Sequence, residues 1–142
     1  AVSVQPQERG IRYTNVRSAM AEEGVLRLLL KDESVFPEEA PLRQEEFSSP
    51  LLGRVFDRLW QLRQEGRPLS MAGLSGELSG EEMSHLTGVL QKPEATASAQ
   101  RALADYIRII REEAQKRNAQ GDPLLAAQEK YKEKKGYGGK QA

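Results

Sequence analysis

Cysteine is absent from this chain, and histidine occurs once, at His85. Without thiols there is no disulfide framework and no thiolate metal site, and one imidazole cannot make a histidine cluster, so we expect no metal and no cofactor in this fragment. Net charge is missing too: 21 Lys and Arg balance 21 Asp and Glu. No overall field therefore draws the chain to nucleic acid or to an anionic membrane. Long apolar runs are also lacking. The longest, Val25 to Leu30, is broken by Arg27 and falls far short of the roughly 18 residues a membrane span needs. The N-terminus has no apolar stretch of the kind a signal peptide requires. These absences suit a cytoplasmic protein, and the missing initiator methionine points to an excised fragment.

The residues that could carry catalysis do not assemble into a motif. His85 lies between Met83 and Leu86, off their apolar stripe, which gives it a surface or boundary place with no second ligand beside it. Gly73, Gly76 and Gly80 lack the following lysine and hydroxyl residue of a phosphate loop. The acid pairs Glu22-Glu23, Glu38-Glu39, Glu45-Glu46, Glu81-Glu82 and Glu112-Glu113 are adjacent residues, which do not face each other on a helix. Most of them read as solvated faces or, near helix starts, as partners of the helix dipole. We expect no catalytic residue here.

What is present is helical periodicity. No segment alternates with the period of two that marks a strand, so the fold class is all-α. Residues 1–16 hold Pro6 and Gly10 without sustained periodicity and read as a flexible linker. From Arg17 to Asp32, Ala21, Val25, Leu28 and Leu29 make a stripe that Leu26 and Leu30 widen, the pattern of a buried helix. Gly24 inside it calls for a close approach by a neighbouring helix. A short helix is expected around Pro41 to Phe47. Ser48-Ser49-Pro50 is a helix start, and Leu52, Val55, Phe56, Leu59 and Leu62 form the inner face, with Trp60 beside it. Gly66 and Pro68 stop that helix. Ser70 opens a short helix sharing Met71, Leu74 and Leu78, and Ser79 with Glu82 matches a capping box before Met83, Leu86 and Leu90.

Ala97 to Gln120 reads as one long helix with two roles. Ala99, Leu103, Tyr106, Ile107, Ile110 and Ala114 share a face; beyond Ile110 the residues are polar and should leave the core. Gly121-Asp122-Pro123 turns the chain into a last helix to about Lys135 with a thin apolar side, Leu124, Ala127 and Tyr131. The reading is thus a six-helix body followed by a terminal helical hairpin: residues 17–96 as a first subdomain, 97–136 as a second, and 137–142 as a flexible tail. Lys130, Lys132, Lys134, Lys135 and Lys140 make the end basic, but Glu129 and Glu133 interrupt them, so nucleic acid is expected to be touched only weakly or indirectly.

Three stretches together resemble a known family: Ala21 through Leu30, the link through Val35-Phe36, and Phe47-Ser48-Ser49-Pro50-Leu51-Leu52 leading into Val55-Phe56. In order and spacing, with the closing hairpin, they resemble the C-terminal helicase-binding domain of bacterial DnaG-type primase, over roughly residues 17 to 136. The resemblance implies a domain that is monomeric alone and binds the N-terminal domains of the replicative DnaB-type helicase in the bacterial replisome. It would recruit primase for RNA primer synthesis and modulate the helicase. Polymerase chemistry would belong to other domains of the full-length enzyme, not to this fragment. Contacts are expected from Ile109, Leu124, Leu125 and Tyr131, with Lys130 and Lys134 steering encounter. The helicase's own N-terminal domain has a similar helical body, and the polar hairpin is what favours the primase side. A nucleic-acid-binding helical domain is the remaining alternative.

Overall fold

The computed structural model describes residues 11–94 and 97–121. Among the described residues the fold is all-α, with four α-helices: α1 (Val16–Lys31), α2 (Pro50–Gln64), α3 (Gly80–Gln91) and α4 (Ala99–Gly121). Three 3₁₀ turns, Glu33–Val35, Gln44–Glu46 and Met71–Leu74, link them.

The helix boundaries follow local chemistry. The Asn15 side chain accepts from the Ser18 amide and opens α1, and that of Ser49 accepts from the Leu52 amide and opens α2, with Pro50 in its first turn. Gly66 closes α2 in the left-handed region at φ 72°, a conformation that favours glycine. Ser79 and Glu82 form the expected capping box of α3, each side chain satisfying the other's backbone amide. The six segments expected before the hairpin are all helical, but those around 41–47 and 70–78 contract to the single turns Gln44–Glu46 and Met71–Leu74. Segments this short, flanked by Pro41 or holding Gly73 and Gly76, cannot repay helix nucleation. They are held instead by buried side chains, Leu42 and Phe47 in one and Leu74 in the other.

One core joins all four helices. Val25, Leu26, Leu28 and Leu29 of α1, Leu52, Val55, Phe56, Leu59 and Leu62 of α2, Leu86 and Val89 of α3, and Leu103 and Ile110 of α4 are buried together. The core therefore runs straight across the boundary expected between residues 96 and 97. Aromatic rings fill its centre: Phe56 stacks on Trp60 at 5.7 Å, and Phe36 meets Trp60 edge-on at 5.9 Å. Arg63 covers the outer face of the indole at 4.8 Å.

The principal helix pair is α1 with α4. Gly24 lets the Tyr106 ring lie directly against α1, so close that a Cβ at this position would clash with it. The polar half of α4 leaves the core one turn later than expected, after Ala114 rather than Ile110, because Glu113 and Ala114 are still buried, and Arg117 still donates to the carbonyls of Glu45 and Glu46. The linker expected through residue 16 is shorter than that, because Ile11 and Tyr13 pack against the core. The hairpin and the tail expected beyond Gly121 lie outside the described residues.

Candidate protein-docking face

Where α1 lies along α4, Met20 and Ala21 face Tyr106 and Ile109 across a groove of about 290 Å³. Arg17, Arg27 and Lys92 stand at its edge with the Glu23 carboxylate below them. Met20 is 42 % exposed and Val16, one turn earlier, 63 %, and they are the large hydrophobic side chains that the described residues leave in solvent. A spacing of four puts both on one face of α1, adjoining the groove. The result is an apolar strip bordered by charge, the makeup of a surface that gains by being covered.

The strip rests on a polar seam. Glu23 is 2 % exposed and accepts from the Tyr13 hydroxyl at 2.7 Å, from Arg27 at 3.4 Å and from Lys92 at 3.3 Å. Arg27 also donates to Glu94 at 3.0 Å and to the Val89 carbonyl at 3.2 Å. Tyr106 donates to Glu94 at 2.8 Å; burial first, then that bond, pushes its phenol upward from the ordinary value. Every buried charge in the seam has an opposite partner, the condition under which a charge can be held away from water. With acids and bases so paired, the seam positions helices and fixes their register, and it presents no free nucleophile with a base beside it.

Of the expected contact residues, Ile109 lies half-buried in this groove. Leu124, Leu125, Lys130, Tyr131 and Lys134 lie outside the described residues. His85 takes a boundary place, half-buried, with Nε2 2.6 Å from the Tyr13 hydroxyl. Two acid pairs depart from the solvated reading. Glu22 is fully buried and accepts from the Ser18 hydroxyl, from the Ser48 amide and hydroxyl at 2.8 and 2.6 Å, and from the Ser49 amide at 3.2 Å. It thereby bolts α1 to the start of α2. Glu113, 8 % exposed, accepts from Asn15 at 2.9 Å and Arg17 at 2.6 Å. Those two donors and Lys116 hold its carboxyl at about 2. The physical reason is the same in both cases: donors distant in sequence converge on the carboxylate, so burial does not strand it.

Met20 was missed by the sequence reading, yet its signal was there, an apolar residue four after Val16 and off the buried stripe. The partners of Glu23 and Arg27 left no such signal, being scattered from Tyr13 to Glu94.

Residues 14–112 match the family described as DnaB-like helicase N terminal domain. The match takes in α1, α2, α3 and the packed half of α4, and with them Met20, Tyr106 and Ile109. It is to the helicase side of the helicase and primase pair. No curated protein and no solved structure matches the chain.

Proposed function

The chain belongs to the DnaB-like helicase N-terminal domain family, and from that premise we propose that it is a docking module of the DNA replication machinery, acting by helix-to-helix contact at the replicative helicase. The exposed apolar strip of Val16 and Met20 beside the Ile109 groove is the observation that carries the reading. In this reading the module performs no chemistry and needs no cofactor, and it works in the bacterial cytoplasm. Its partner surface combines Met20 and Ile109 with the expected anchors Leu124, Leu125 and Tyr131, while Lys130 and Lys134 speed encounter.

Two placements follow. The family match supports the first, an N-terminal domain of the helicase itself. The second is the helicase-binding domain of primase. It is favoured by α4 continuing past the end of the match, from residue 113 to Gly121, with a largely polar surface, and by the apolar spacing of Leu124, Ala127 and Tyr131 in the sequence beyond.

Sedimentation of the whole chain, followed by titration calorimetry with a full-length replicative helicase, separates them. In the first placement the chain is expected to self-associate through its apolar strip. A primase domain sediments as a monomer and titrates the helicase to saturation. In either placement Met20→Asp or Ile109→Asp should weaken the association roughly thirtyfold, the loss of one interface anchor. A folded chain that neither self-associates nor binds the helicase would overturn the docking reading.

A further inference from the structure

Three helices are tied to one short stretch that precedes them. Ile11, Tyr13 and Asn15 are half-buried while Arg12 and Thr14 are exposed, the alternation of an extended segment laid on a surface. The Tyr13 hydroxyl reaches Glu23 of α1 at 2.7 Å and His85 Nε2 of α3 at 2.6 Å. Its ring meets the imidazole edge-on, 5.4 Å between centres. Asn15 and Arg17 reach Glu113 of α4, and Asn15 also caps the first turn of α1.

Proton counting sets the direction of the bonds. A carboxylate only accepts and a phenol has one proton to give. Tyr13 therefore donates to Glu23 and accepts from His85, which must carry its proton on Nε2.

We propose that residues 11–17 are a latch: a strap fastened by Tyr13, Asn15 and Arg17 whose release loosens the first turn of α1 and so reshapes the docking face. The strap is separable because its apolar hold is small. Only Ile11 and Tyr13 supply it, both incompletely buried, and local opening is easiest where few apolar groups are covered. It acts on the face because its parts are shared. Asn15 is the cap of the helix that presents Val16 and Met20, and Arg17, pinned to Glu112 and Glu113, is also a wall of the groove. A pull on the chain ahead of Ile11 would thus be felt at the groove. The consequence for binding rests on the docking reading, whereas the latch itself does not.

Hydrogen–deuterium exchange on the full chain tests it. Tyr13→Phe keeps the ring and removes the hydroxyl; Asn15→Ala removes the cap and the link to Glu113. Each should raise exchange over residues 16–20 about tenfold, the effect of losing one such bond, and leave residues 52–59 unchanged. Nitrogen NMR of wild-type His85 should show the proton on Nε2, and in Tyr13→Phe that preference should relax. An equal rise in both segments would make the strap an inseparable part of the core and overturn the proposal, as would unchanged exchange at 16–20. Raised exchange at 16–20 with unaltered helicase affinity would remove the groove as the docking site and leave the latch standing.

Discussion

Around α2 the centre of the interior is apolar, with Phe47, Phe56, Trp60 and Phe36 linked ring to ring and leucines packed about them. Between α1, α3 and α4 it is laced with charge, where Glu23, Arg27, Glu94 and Tyr106 bond to one another. The first region is held by removal of apolar area from water, which is strong and tolerant of direction. The second contributes less net stability, since each bond replaces one to water. It demands particular partners at particular distances, and so it sets how α1 and α4 lie against each other. The proposed docking face sits above the second region, so its shape depends on these directional bonds.

The apolar region is most sensitive at Phe56, which is fully buried against Phe47 and Trp60. Phe56→Ala should destabilise the body by about 3 to 5 kcal/mol through the cavity it leaves, read from urea unfolding. A near-normal midpoint would remove α2 from the centre of the core. Glu22→Ala is expected to cost about 2 to 3 kcal/mol despite deleting a charge from the interior, because the amides of Ser48 and Ser49 lose their acceptor. A neutral or stabilising result would show that buried carboxylates here are dispensable.

Gly24→Ala probes the seam sterically. The new methyl would press on the Tyr106 ring, with an expected loss of about 1 to 3 kcal/mol. Combining it with Tyr106→Leu should recover part of that loss, and strict additivity would mean the two residues do not compete for the same space. The smallest effect is the pH response of Glu113. Its carboxyl sits at about 2 in the fold against an ordinary 4.5, drawn down first by Asn15, then by Arg17 and Lys116. A folded value below the unfolded one means that the contribution is fully present above about pH 4.5 and fades as the pH falls toward 2. Glu113→Gln should flatten that part of the stability curve; an unchanged acid limb would place the dependence elsewhere.

Much of the scaffold was legible because its signals are local. Ser49 with Pro50, Ser79 with Glu82, and Gly66 each mark a helix end through atoms within a few residues, and the structure uses them as read. The leucine spacing of α1 and α2 likewise named their buried faces. Even the Gly24 contact could be anticipated as a kind of contact, though not its partner. The strap was passed over because its alternation covers only Ile11 to Asn15, too few residues to stand out from a linker.

The helical character of the chain, the ends of most of its α-helices and the buried faces of α1 and α2 are written in the sequence, since capping, helix propensity and apolar spacing act over one or two turns. What the polar residues do follows only from how the helices pack. Tyr13 meets His85 across 72 positions and Asn15 meets Glu113 across 98, and no local pattern encodes such pairings. A carboxylate looks the same in the sequence whether it faces water or four donors. Its role is set by where the packed helices bring the donors, and the same packing left Val16 and Met20 uncovered beside the groove of Ile109.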